Sequence, residues 1–115
     1  MPKVTLERRT TRRYDVHLPL QYRVSQKGGV VSVGSGTTKE MSTSGLSFRC
    51  RRSLPVGAHV EIVIEWPARY ADLYPIDLVL TGFIVRADTT RAAVRVTSRR
   101  FRVLQQPAAP YRASA

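Results

Sequence analysis

From Tyr14 to Val24 the chain alternates apolar and polar residues with a period of two. The apolar positions are Tyr14, Val16, Leu18, Leu20, Tyr22 and Val24, and polar residues or Pro19 lie between them. A period of two is typical of a strand with one buried face and excludes an amphipathic helix. Pro19 has no backbone N–H to donate and lies on the polar face, which predicts a sheet edge or a bulge there.

The rest of the chain shows the same kind of pattern in shorter segments. Glycines at 28, 29, 34 and 36 flank a β-branched run, and we interpret them as a turn, a short strand and a second turn. Further strands are predicted at Leu46–Cys50, Val60–Trp66, Asp77–Ala87 and Ala92–Val96. Helical spacing is suggested only by one turn near Arg99–Gln105. Several short strands at this spacing favour an antiparallel barrel or sandwich.

Positive charge is concentrated near both ends of the 115-residue chain, which has a formal net charge of +11. Residues 1–13 carry five basic side chains and one acidic, a net +4, and residues 86–102 carry six and one, a net +5. The intervening body is close to neutral, so an anionic partner is expected at the ends. We expect three segments: a mobile basic arm at 1–13, one folded domain at 14–105 and a disordered tail at 106–115.

The sequence offers little for catalysis or for a metal site. His17 and His59 have no acid or nucleophile at a recognisable spacing, and two histidines with one cysteine do not make a zinc site. Cys50 is in phase with Leu46 and Phe48, which predicts a buried small side chain. We therefore expect no enzyme activity, no catalytic residue, no metal and no cofactor.

No apolar run is long enough to span a bilayer, and the first residues lack the apolar segment of a signal peptide. A cytoplasmic protein without membrane insertion is therefore expected.

Two polar motifs precede predicted strands and together indicate an anion site. Arg8-Arg9-Thr10-Thr11-Arg12-Arg13 comes before the long strand, and Glu40-Met41-Ser42-Thr43-Ser44-Gly45 comes before the strand that begins at Leu46. Arginine pairs bidentately with phosphate and with purine edges. In the second motif a hydroxyl and backbone N–H groups can face an anion, since glycine permits a positive φ or a close backbone approach.

These motifs resemble those of the PilZ domains, bacterial receptors for cyclic di-GMP. The family signature is Arg-x-x-x-Arg before the first strand and Asp/Asn-x-Ser-x-x-Gly before a later one. Arg9 to Arg13 matches the first element, and Glu40 to Gly45 matches the second except at its first position. The likeness extends over about residues 7–102 and includes the stretch from Gly82 to Val96. It implies an all-β fold, a six-stranded antiparallel β-barrel with the basic arm ahead of it and a short C-terminal tail behind.

The resemblance also implies a ligand, cyclic di-GMP, and a set of residues that bind it. Arg9 and Arg13 would pair with phosphate and guanine, Ser42 would donate a hydrogen bond, and Gly45 would shape the turn. Arg8 adds a further contact, and the arm is expected to order around the ligand. The implied ligand-binding residues are Arg8, Arg9, Arg13, Glu40, Ser42 and Gly45.

Glu40 is the departure from the signature. It keeps the acceptor of Asp or Asn but is longer by one methylene, which would displace the carboxylate.

Two alternatives remain open at the level of the sequence. A PilZ-like module that does not bind nucleotide would act as a protein-interaction adaptor, and Glu40 supports it. A small barrel that binds single-stranded nucleic acid is disfavoured, because most aromatic residues are in phase with aliphatic ones; only Phe83, Phe101 and Tyr111 are ambiguous. A downstream protein effector is expected in either signalling role, and a homodimer is compatible with both.

Overall fold

The computed structural model describes residues 14–105, which form one antiparallel sheet. Its seven strands are β1 (Tyr14–Asp15), β2 (Pro19–Gln26), β3 (Gly29–Met41), β4 (Gly45–Arg49), β5 (His59–Tyr70), β6 (Tyr74–Ala87) and β7 (Arg91–Val103). The predicted all-β class is confirmed. Within residues 14–105 no helix is long and apolar enough to cross a membrane.

Six of the strands form a closed hydrogen-bonded ring. The order is β3-β2-β5-β6-β7-β4, and β4 pairs back onto β3 to complete it. The short β1 lies beside β2 on the same side of β3, where Tyr14 pairs with Met41. The six antiparallel strands predicted from the sequence are therefore present, and β1 adds a short seventh.

The core lies inside this ring and follows the period-two alternation. On β2, Leu20, Tyr22 and Val24 are buried, whereas the residues between them are exposed. Phe48 on β4 is completely buried and packs against Tyr22, with ring centroids 5.7 Å apart. Burial of each such side chain contributes about 1.5–3 kcal/mol. Cys50 is also in the core, as predicted, and its Sγ donates to the carbonyl of Arg52.

The long strand predicted from Tyr14 is interrupted at residues 16–18. The break is filled by Thr38 of β3, whose hydroxyl accepts the N–H of Leu18 at 2.8 Å and donates to the carbonyl of Val16. Pro19 opens β2 after this break. Pro19 pairs with Thr37 of β3 but has no partner on β5, because pairing with β5 begins at Leu20, so the edge predicted at this residue is present. The strand as a whole is not an edge strand, since β2 lies between β3 and β5.

The turn predicted around Gly34 and Gly36 is also wrong, because β3 runs without interruption from Gly29 to Met41. Both glycines lie in the strand for steric reasons. A Cβ on Gly34 would meet the ring of Tyr22, and one on Gly36 would overlap the carbonyl oxygen of Arg49. Glycine in a strand can mark a close approach as well as a turn.

Three strands continue beyond one end of the ring. β5 pairs with β6 up to Tyr70 and Tyr74, and β7 pairs with β6 up to Val103. The neighbouring strands β2 and β4 do not reach this far, because their pairing stops at Ile64 of β5 and at Arg95 of β7. The helical turn suggested near Arg99–Gln105 is therefore wrong: residues up to Val103 are strand. We call this part, residues 66–78 and 97–103, the extension.

Candidate functional site

A cleft of about 470 Å³ opens between the β3–β4 turn and the β6–β7 hairpin. It crosses four strands, and its volume is in the range of small-molecule sites. The described members of the predicted site line it together. The lining includes Glu40, Ser42, Gly45, Ser47, Arg86, Asp88 and Arg91, over a floor of Ala92 to Val94.

Glu40 reaches the cleft because β3 contains a β-bulge. Thr38 pairs with Phe48 and Glu40 pairs with Ser47, so Lys39 is the extra residue. Without the bulge Glu40 would be in phase with buried Thr38; with it, Glu40 is half-buried at the cleft. Bulges commonly re-aim a side chain beside a functional site.

The β3–β4 turn is held by the side chain of Ser42. Its Oγ accepts the N–H of Gly45 at 3.1 Å and that of Ser44 at 3.3 Å, and the Ser42 N–H donates to the Gly45 carbonyl at 2.9 Å. Serine commonly closes turns in this way. Ser42 therefore shapes the cleft wall even without a ligand.

Gly45 lies where the turn meets β7. A Cβ added to it would be 3.4 Å from the Val94 carbonyl oxygen and 3.8 Å from Ser42 Oγ, which are ordinary contact distances. Its φ is not among the positive values of the described chain. The fold thus places no severe demand for glycine at this position.

Arg86 and Arg91 bring positive charge to the cleft from the β6–β7 hairpin. Both side chains are exposed and both line the cleft. Sequence reasoning missed them as site residues. The sequence feature that could have indicated them is the basic stretch 86–102. Its proximity to Glu40 and Ser42 depends on the β4–β7 pairing, in which Gly45 lies opposite Arg95.

Asp88 organises the hairpin that carries these arginines. Its carboxylate accepts the N–H of Thr90 at 2.8 Å, the Thr90 hydroxyl at 3.1 Å and the N–H of Arg91 at 2.9 Å. These hydrogen bonds, first the one from the Thr90 backbone, hold the pKa of Asp88 below its usual value.

The arginines predicted for the arm, Arg8, Arg9 and Arg13, lie outside the described residues. The first described residue is Tyr14, which pairs with Met41, the neighbour of Ser42. The chain therefore enters the described fold beside the cleft.

The two histidines lie away from the cleft. His17 and His59 are exposed, and the ring of His59 contacts Phe83 with centroids 5.6 Å apart. In the part of the chain that the structure describes, no group of three or more His, Cys, Asp or Glu side chains is placed to hold a metal ion.

Comparison with known proteins adds three findings. A family model described as "PilZ domain" matches residues 7–108. The crystal structure of the PilZ domain of CeSA, from a cellulose-synthesizing bacterium, is similar in fold with a TM-score of 0.54 and 20% identity, over 76% of this chain and 81% of that one. No curated protein matches the chain.

Proposed function

Because the chain belongs to the PilZ domain family, whose members are generally cyclic di-GMP receptors, we propose that it binds cyclic di-GMP in the cleft between the β3–β4 turn and the β6–β7 hairpin. The binding would serve bacterial second-messenger signalling, with no chemical step. The observation that carries the proposal is the convergence of Glu40, Ser42 and Gly45 on one cleft that also receives Arg86 and Arg91.

The chemistry of the cleft suits this ligand. Cyclic di-GMP carries two phosphates and two guanines. Arg86 and Arg91 offer guanidinium groups for phosphate, and Glu40 offers a carboxylate that can accept from the N–H groups of a guanine edge. The backbone N–H groups at Ser44 and Gly45 donate to Ser42 Oγ, and the Ser42 hydroxyl donates to the Gly45 carbonyl at 3.4 Å, a long bond that a ligand contact would replace.

The arm would complete the site. In the proposed complex Arg9 and Arg13 pair with phosphate and with guanine O6 and N7, and Arg8 adds a further contact. The arm joins the fold at Tyr14, next to the turn that holds Ser42. Closure of the arm over the ligand, opposite the Glu40–Gly45 turn, is then the switch that a downstream protein reads.

Calorimetric titration of the full chain with cyclic di-GMP tests the proposal. Arg9→Ala and Arg13→Ala should each abolish binding or weaken it by more than about tenfold, a loss of at least about 1.4 kcal/mol. Arg69→Ala is the matched control, because Arg69 is an exposed arginine on β5 that does not line the cleft. Equal losses at all three positions would indicate bulk electrostatics, and no heat at near-millimolar ligand would refute the proposal.

Two observations favour a second candidate, an adaptor that does not bind nucleotide. Glu40 replaces the family's Asp or Asn, and the Ser42 hydroxyl is already used within its own turn. The adaptor would show no titration heat with cyclic di-GMP but would retain a specific protein partner.

A further inference from the structure

We propose that the free edge of β7, residues 97–103, docks an acidic segment of a partner protein in extended conformation, independently of any nucleotide in the cleft. The segment would add a strand to the extension. This surface gives a role to the arginines of the basic stretch 86–102 that do not line the cleft, which are Arg95, Arg99, Arg100 and Arg102.

The first argument is that β7 is paired on one side only over these residues. β4 pairs with β7 from Arg91 to Arg95, and the Val96 N–H donates to the Ser44 carbonyl at 2.9 Å. Beyond that point β7 has only β6 as its partner among the described strands. An unpaired edge is a template for another strand.

The second argument is which backbone groups face outward. The Leu104 N–H donates to the Pro75 carbonyl at 2.9 Å, next to the Val103–Ile76 pair. Along an antiparallel strand, every second residue directs its backbone N–H and C=O to the partner strand. Counting back from Leu104, Arg102 and Arg100 therefore direct these groups to β6. Arg99, Phe101 and Val103 then direct theirs to the open edge, where an added strand can bond to them.

The third argument is the apolar face beside this edge. Phe101 is 57% exposed and Val103 is 42% exposed. Phe101 also makes an edge-to-face contact with Trp66 at 5.3 Å across the sheet. Phe101 pairs with Leu78 of the core, so the two side chains lie on the same face of the sheet. The inner face of the ring therefore continues into the extension, where fewer strands cover it.

The fourth argument is charge, which selects the partner. Arg95, Arg99, Arg100 and Arg102 are exposed along β7. Within residues 14–105 only Arg102 of these is in an ion pair, with Asp77 at 3.0 Å, and the Arg99 guanidinium donates a hydrogen bond to the Thr43 carbonyl. A second copy would bring like charges together at the edge, whereas an acidic strand would neutralise them.

Nucleic acid fits this surface less well. Its exposed phenylalanines lie on opposite faces of the sheet and do not form one stacking platform. Phe101 shares the inner face with its partner Leu78, whereas Phe83, next to buried Ile84, lies on the outer face of β6. An added strand bonds to the outward backbone N–H and C=O groups of β7, whereas stacked bases would leave these groups without hydrogen-bond partners.

The test is titration of the isotope-labelled full chain with capped eight-residue peptides, followed by amide chemical shifts. One probe alternates valine with glutamate, and its counterpart has lysine in place of glutamate. We expect saturable shifts at residues 97–103 with the glutamate peptide and at least about tenfold weaker binding of the lysine peptide.

Two pairs of variants sharpen the test. Val103→Pro removes an outward N–H and should weaken peptide binding by about tenfold or more, whereas Val103→Ala keeps the N–H and should stay within about threefold. Arg100→Glu should weaken binding similarly, and Arg23→Glu, an exposed reversal on β2, should not. Retained titration with cyclic di-GMP, or retained amide spectra if that ligand does not bind, shows that each variant is folded.

Several outcomes would overturn the proposal. These are no shifts at millimolar peptide, tighter binding of a ten-nucleotide oligothymidine to the same amides, or concentration-dependent self-association through residues 97–103 without peptide. None of them bears on the nucleotide cleft, so failure here leaves the proposed function intact.

Discussion

At the scale of single residues, Gly36 and Gly45 have different reasons to be glycine. A Cβ at position 36 would overlap the Arg49 carbonyl oxygen, whereas one at position 45 would meet only ordinary contacts. The fold therefore explains Gly36. The fold does not explain Gly45, and we attribute this glycine to the space that a ligand in the cleft needs beside the turn.

We predict that Gly45→Ala lowers the free energy of unfolding by less than about 1 kcal/mol, because no close contact opposes the methyl group. The same variant should weaken cyclic di-GMP binding by at least about tenfold. Gly36→Ala should instead destabilise by about 1–3 kcal/mol. Denaturant titration and calorimetry measure the two effects, and an equally unstable Gly45→Ala would assign this glycine to the fold.

A second prediction concerns the length of the side chain at position 40. Glu40→Asp should tighten cyclic di-GMP binding, because it restores the carboxylate position of the family signature. The bulge at Lys39 directs the side chain toward the cleft in either case. Unchanged affinity in calorimetry would show that position 40 does not contact the ligand.

The sequence predicted that Glu40, Ser42 and Gly45 lie together because they are close in a motif with a fixed spacing. It did not predict the bulge that aims Glu40, since one extra residue leaves no mark in composition. Arg86 and Arg91 are more than 40 positions from Glu40 along the chain, and only the strand pairing brings them to it.

At the scale of strands, a side chain joins β1 and β2 into a nearly continuous pair with β3. Thr38 is 1% exposed, and its hydroxyl bonds the Leu18 N–H and the Val16 carbonyl. Two backbone hydrogen bonds also join this break to β3, from the Val16 N–H to the Lys39 carbonyl and from the Thr38 N–H to the Leu18 carbonyl. The alternation from Tyr14 to Val24 suggested one strand because the side chains keep their period across the break. Periodicity reports which face is buried, and it does not report whether each backbone bond is made.

Thr38→Val should therefore destabilise the protein by about 1–3 kcal/mol, because it leaves the Leu18 N–H and the Val16 carbonyl without their partner. Thr38→Ser keeps the hydroxyl and should recover most of the loss. Urea midpoints of the three proteins measure the effect, and a neutral Thr38→Val would mean that water replaces the hydroxyl.

The β6–β7 hairpin should give stability a pH dependence through Asp88. The folded pKa is lowered, so the carboxylate stabilises the hairpin above its unfolded pKa, about 3.9, and this contribution is lost as pH falls through the folded pKa. Asp88→Asn should show a shallower loss of stability below about pH 4. Parallel slopes for the two proteins in acid urea titrations would contradict this role.

At the scale of the whole molecule, the cleft lies across the place where the ring closes. β4 is adjacent in sequence to β3 but closes the ring against β7, and the cleft takes residues from β3, β4, β6 and β7. The sequence predicted the six strands of the ring but not the separate β1, and no local pattern states that β4 pairs with a strand more than 40 residues later. Long-range pairing is fixed by global packing.

A ligand that binds across this junction should stabilise the entire fold. At a free concentration of 100 times Kd, cyclic di-GMP should add about 2.7 kcal/mol to the free energy of unfolding. For a domain of this size the thermal midpoint should rise by roughly 10 °C or more. GMP at equal concentration is the control in differential scanning fluorimetry, and an equal shift with GMP would contradict specific recognition.

The closed ring also affects how long the chain survives. A protease needs an opened chain, and separation of β4 from β7 is one opening of the ring that takes the cleft apart. If cyclic di-GMP holds that junction, the population of cleavable molecules falls as the second messenger accumulates. The concentration of the messenger would then set the abundance of its receptor as well as its occupancy.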